Sequence, residues 1–137
     1  MGVPGDLKQW HAIIVHQLRR AYELGVTMAY GTDADYALPG STDAQLGVSH
    51  LATWEEANIP PNVTLRALTT NAAELLGVDK DRGAIRPGLA ADLIATPGNP
   101  LDDVADAGLG RVSLTLHAGT TTQMHHFTLA RTTHREG

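Results

Sequence analysis

Apolar residues near the start of the chain recur at helical spacing. Leu7, Trp10, Ile14, Leu18 and Ala21 follow one another at intervals of three and four residues, which places them on one face of a helix. Asp6-Leu7-Lys8-Gln9 has the spacing of a capping box that would open this helix. Gly25 would close it, because glycine enters the left-handed conformation at little cost. Val26 to Tyr30 is apolar at nearly every position, the pattern of a short strand buried on both faces, as in a parallel sheet. Helix, glycine and buried strand together make half of an α/β repeat. From Asp33 to about Gly47 periodicity gives way to Asp, Gly, Pro, Ser and Thr, a long loop of the kind that is usually functional. A helix is predicted over roughly Val48 to Ala57. Pro60-Pro61 opens another and turns Val63, Ala67 and Leu68 inward. Asn71-Ala72-Ala73-Glu74 looks like a second cap, so this helix is expected to break and restart near Thr70 before Gly77 ends it.

Beyond Val78 the pattern shortens to strands. Gly83-Ala84-Ile85-Arg86-Pro87-Gly88 reads as a short strand running into a turn, and Ala91 to Thr96 as a second, closed by Pro97-Gly98-Asn99-Pro100. Val112 to Leu116 alternates strictly, so one face is expected to be buried. Ala118-Gly119 turns the chain toward a last strand, Thr121 to Phe127, and the polar tail from Ala130 is expected to fray. One parallel-type strand cannot form a sheet alone, and three or four short strands behind it make only a small one. The helical part therefore calls for neighbours that this sequence does not contain.

Composition narrows the classes. A chain of 137 residues has room for one ordinary domain, and 42% hydrophobic content is typical of globular protein. No apolar run approaches the roughly 18 residues of a membrane span, so no membrane partner is expected. A net charge of -5, without a cluster of Lys and Arg, argues against nucleic acid. The absence of cysteine excludes disulfides and thiolate metal ligands but fixes no compartment. Met1 to Asp6 has neither a basic nor an apolar signal region and is no signal peptide; with the true N-terminus expected to be missing, localisation is unknown and cytoplasmic only by default. Aromatic residues, at 4%, are too sparse for a stacking platform.

Asp33 is the residue whose position points to chemistry. It follows the Val26–Tyr30 segment and opens the long loop, and ligand sites in α/β sheets and barrels gather at the carboxyl ends of strands. Gly31 would let the backbone turn or be approached closely. Thr32 could orient the neighbouring carboxylate by a hydrogen bond. A carboxylate there could bind a cation or take a proton from metal-bound water. The plainer alternative is a loop cap or a lysine partner.

Several segments resemble the metal-dependent amidohydrolases. Leu24-Gly25-Val26 leading to Gly31-Thr32-Asp33-Ala34 is similar to their eighth-strand signature, and Leu65 to Gly77 to their last barrel helices. Gly83 to Ile94 resembles the return into their small β-domain. Asn99-Pro100-Leu101-Asp102-Asp103-Val104 resembles a linker of the imidazolonepropionase-like and Xaa-Pro dipeptidase-like branch. Together these segments run in order over about residues 16 to 119. The resemblance implies an α/β fold: a C-terminal fragment of a (β/α)8 TIM-type barrel over 1–78, part of a small composite β-sandwich domain over 79–128, and a disordered tail over 129–137. It implies one or two divalent metals, often zinc, and hydrolysis of a C–N bond in an amide, cyclic amide or dipeptide-like small molecule. Asp33 would contact the metal and carry the proton from water to leaving group. The family's His-x-His pair, its carboxylated lysine or glutamate and its two further histidines have no counterpart here. The chain is thus expected to lack an N-terminal barrel segment, as a truncated or wrongly started gene model would, and to be inactive alone. The full-length enzyme could form a homo-oligomer. A non-catalytic interaction module is the alternative.

The remaining polar residues take lesser roles. His50 is a candidate substrate contact, because relatives place a histidine after the aspartate, although Pro39-Gly40-Ser41 departs from their His-Gly pair. His11 and His16 read as surface or packing residues. His125 and His126 would face opposite sides of a strand, which prevents easy joint chelation. Asp92 is expected to hold a turn of the β-domain. Asp33-x-Asp35 loosely matches a haloacid-dehalogenase-type phosphatase, but Asp79-Lys80-Asp81 is a poor match for the rest of that pattern.

Overall fold

A computed structural model describes residues 7–32, 50–104 and 114–124. Its elements are helices α1 (Leu7–Glu23), α2 (Leu51–Glu56), α3 (Pro61–Leu68) and α4 (Thr70–Leu75), then strands β1 (Leu93–Ala95), β2 (Leu114–His117) and β3 (Thr120–Met124). The architecture is a small α/β assembly of a helical part followed by an antiparallel meander in the order β1-β2-β3.

α1 ends as expected. Gly25 is left-handed (φ 71°), and the Gly25 and Val26 amides return to the Tyr22 and Ala21 carbonyls at 3.0 Å each. The Asp6 cap lies outside the described residues. The covered face of the helix differs from the predicted stripe. Val15, Leu18 and Tyr22 pack on the core, whereas Trp10 is 47% exposed and Ile13 and Ile14 also face outward. Periodicity marks a helix, but its covered face depends on what packs against it, and here that face is the one carrying Val15, Leu18 and Tyr22.

The core is centred on Trp54, Ala57, Ile59 and Ala67, with Met28, Tyr30 and Val63 against it. Arg19 ties α1 to the end of α2. Its Nη1 donates to the Asn58 carbonyl at 2.9 Å, and its Nε pairs with Glu23 at 2.8 Å. That bond is the foremost reason the Glu23 carboxyl lies below its ordinary value. Asn58 itself is left-handed (φ 53°), a conformation asparagine tolerates better than most residues.

The predicted helix break falls at Thr69 (φ -126°, ψ -90°), between α3 and α4. Its hydroxyl donates to the Leu65 carbonyl at 2.6 Å, which satisfies an acceptor at the end of α3. The cap assigned to Asn71 is corrected: Asn71 sits inside α4, and Thr69, which precedes it, makes no side-chain cap bond.

Two predicted strands are not formed. Val26 to Tyr30 has no strand pairing, and Val26 is 53% exposed. A strand needs a neighbouring strand to bond with, and none lies beside it among the described residues. Gly83 to Gly88 is a series of bends and turns, with Ile85 standing out in solvent. The later strands are present, the first of them shorter than predicted; Val112, Ser113 and residues 125–137, His125 and His126 included, lie outside the described residues. β2 pairs with β1 (Leu93 with Leu116, Ala95 with Leu114) and with β3 (His117 with Thr120, Leu116 with Thr121). The β2–β3 register shifts between Thr115 and Leu116, and Thr122 donates its hydroxyl to the Thr115 carbonyl at 3.2 Å. Leu114, Thr115 and Leu116 are all half-buried, so the expected one-sided burial is not seen.

Candidate functional site

The approach to Asp33 is fixed by side chains on α2 and α4 and a backbone carbonyl of α3. The Tyr30 amide donates to the Ala67 carbonyl at 2.9 Å, and Asn71 Nδ2 donates to the Met28 carbonyl at 2.8 Å. These two bonds occupy alternate residues of a segment that has no sheet to join among the described residues. Tyr30 also packs on Trp54, with ring centroids 5.7 Å apart and planes inclined by 54°. Burial raises the Tyr30 phenol above its ordinary value. Residues 26–32 are thereby moored to the core as they lead toward the nominated aspartate.

Asp33 lies outside the described residues, as do Asp35, Pro39-Gly40-Ser41 and the loop through Gly47. Gly31, two residues earlier, is described, and its backbone is not in the left-handed region. A methyl added there would meet nothing within 4 Å. Among the described residues, therefore, neither turn strain nor close approach demands glycine at this position.

His50 is half-buried immediately before α2, and its carbonyl accepts from the Thr53 amide at 3.2 Å. His11 is exposed on α1 and bonds Glu56 Oε2 at 2.8 Å, joining α1 to α2; His16 is exposed. Among the described residues, no three of His, Asp and Glu come together as a metal-binding group. These residues by themselves do not fit a metal centre.

Asp92 does what was expected of it. Its Oδ1 accepts from the Ala118 amide at 2.8 Å, and its Oδ2 accepts from Arg82 Nη1 at 3.1 Å. Asn71 is the residue that sequence reasoning missed. Asparagine is a poor helix former, and its place inside a short helix was the available signal that its amide serves another segment.

The profile described as the Amidohydrolase family matches residues 14–127. Ochratoxinase of Aspergillus niger is 34% identical over 85 residues, 61% of this chain and 16% of that protein. Imidazolonepropionase of Deinococcus deserti is 36% identical over 88 residues, 64% of this chain and 21% of that protein. Among solved structures, a Xaa-Pro dipeptidase with methionine in its active site superposes with a TM-score of 0.67 at 31% identity. That match covers 78% of this chain and 25% of the dipeptidase. A prolidase bound to N-methylphosphonate-L-proline gives a TM-score of 0.69 at 29% identity, over 81% of this chain and 26% of the prolidase. The chain thus spans about a quarter or less of the length of each of these proteins. The profile match extends across both the helices and the sheet, and the chain belongs to the amidohydrolase family.

Proposed function

We propose that this chain is the C-terminal part of a metal-dependent amidohydrolase that hydrolyses a C–N bond in a small amide, cyclic amide or dipeptide-like substrate. The observation that carries the reading is the family match over residues 14–127, together with the mooring of residues 26–32 on Ala67 and Asn71 directly before Asp33. Asp33 takes the proton of the attacking water and passes it to the leaving nitrogen, the work of a general base that becomes a general acid. A divalent metal, zinc in the first instance, would supply an activated water. Its other ligands belong to earlier barrel strands, so the chain alone is inactive. His50 is the substrate contact in this reading.

A reading frame that carries a His-x-His segment upstream would support this assignment. In the full-length enzyme, Asp33→Asn is expected to lower turnover by about 10²-fold or more while circular dichroism stays unchanged. Near-normal turnover would remove Asp33 from the mechanism. A compact monomer of this chain that binds no zinc and has no upstream barrel segment would favour a non-catalytic module.

A further inference from the structure

The β2–β3 turn holds an alanine where glycine would be expected. Ala118 (φ 49°) and Gly119 (φ 76°) are both left-handed, the geometry of a type I′ hairpin turn. Glycine takes that conformation freely, but alanine does so only against a steric cost. The compensating group lies on the other side of the sheet junction. The Ala118 amide donates to Asp92 Oδ1 at 2.8 Å, and the Gly119 amide donates to the Ala91 carbonyl at 3.0 Å. Both turn amides therefore point at Ala91-Asp92.

Asp92 also reaches away from the sheet. Its Oδ2 bonds Arg82 Nη1 at 3.1 Å, and Arg82 belongs to a loop that the helices hold in place. In that loop the Val78 amide donates to the Ala73 carbonyl at 2.9 Å, the Ala90 amide donates to the Asp81 carbonyl at 2.7 Å, and Gly83 sits against Ala73 and Thr69. On the sheet side His117 Nδ1 lies 3.1 Å from Oδ1. Among the described residues, Arg82 from the loop and His117 from β2 are the charged or titratable groups facing the carboxylate.

We propose that Asp92 is an acid-released clasp, which holds the β2–β3 turn in its left-handed form and fastens the sheet to the Arg82 loop. The Ala118 hydrogen bond, foremost, lowers the carboxyl from its ordinary value, with His117 and Arg82 adding to the effect and partial burial opposing it. The folded-state value is therefore the lower one. The clasp's stabilisation is fully present above the ordinary carboxylate range and is lost as pH falls through the depressed folded value.

Amide hydrogen exchange on the 137-residue chain, corrected for intrinsic rates, tests this. At neutral pH the Ala118 and Gly119 amides should be protected, and Asp92→Ala should speed their exchange about tenfold. Asp92→Asn, which keeps an acceptor oxygen but no charge, should give an intermediate rate. Adding Ala118→Gly to Asp92→Ala should recover much of the Gly119 protection, since glycine carries no left-handed cost and the Ala91 carbonyl is still there to accept; the residue-118 amide, whose acceptor is gone, should stay fast. Between about pH 5 and about pH 2 protection should fall in the parent and stay level in Asp92→Asn. Unprotected turn amides in the parent, an unchanged rate in Asp92→Ala, absence of rescue at Gly119 by Ala118→Gly, or equal acid loss in parent and Asp92→Asn would each overturn the proposal. Should Asp92→Ala fail to fold, the acid comparison of parent and Asp92→Asn decides it.

Discussion

Gly83 carries the strictest steric demand among the described glycines. Its backbone is left-handed (φ 93°), and a Cβ there would overlap the Ala73 methyl while lying 3.3 Å from the Thr69 carbonyl oxygen. Both terms act against Gly83→Ala, which is expected to destabilise the chain by about 2–4 kcal/mol. A denaturant titration would show this as a lowered midpoint. Adding Ala73→Gly should relieve the overlap but leave the backbone strain, so recovery should be partial. An unchanged midpoint in Gly83→Ala would discount the contact. Gly31 offers the contrast: with nothing among the described residues within 4 Å of an added methyl and an ordinary backbone, Gly31→Ala should shift stability by no more than about 0.5 kcal/mol. The two glycines look alike in sequence. They separate only when the neighbours that crowd one and spare the other are known.

At the scale of elements, the helical segments and their ends were legible because their signals are local. Gly25 and Gly77 both adopt the left-handed conformation that ends a helix, and the break near Thr70 appears one residue earlier, at Thr69. Strands depend on distant partners and were less legible. Val26 to Tyr30 has the composition of a buried strand, yet here it is held by Asn71 and the Ala67 carbonyl instead of a sheet. Asn71→Ala is therefore expected to cost about 1 kcal/mol and to loosen residues 26–32 ahead of the rest of the helical part. Faster exchange of the Tyr30 amide, with the α1 amides unchanged, would report it; equal rates in both proteins would contradict it. Of the candidate site only the approach is described: Asp33 is nominated by its place after an apolar segment and by a resemblance and lies outside the described residues, whereas Asn71, which helps moor that segment, reads as a cap in sequence.

At the scale of the whole chain, the balance of buried and exposed apolar surface is unusual. The buried apolar residues among those described are Leu51, Trp54, Ala57, Ile59, Ala67 and Ala73, three of them alanines. Trp10, Leu24, Val26, Leu75, Leu76, Ile85, Ile94 and Leu101 are exposed, spread over α1, α4, the loops and β1. So many large apolar side chains in solvent signal surfaces that expect cover. The purified chain is expected to bind a hydrophobic dye strongly and to self-associate as its concentration rises, seen by fluorescence and by sedimentation. A dye-silent, compact monomer would refute this. The sheet also has a temporal consequence. β2 and β3 are joined by a turn of two residues, so their meeting requires almost no search through the chain, and hairpins of this kind close in about 1–10 µs. β1 must be brought in across a much longer stretch of chain, and the entropy of that closure is met only once the hairpin offers it an edge. The order of assembly thus runs against the order of synthesis: the strand made first joins the sheet last.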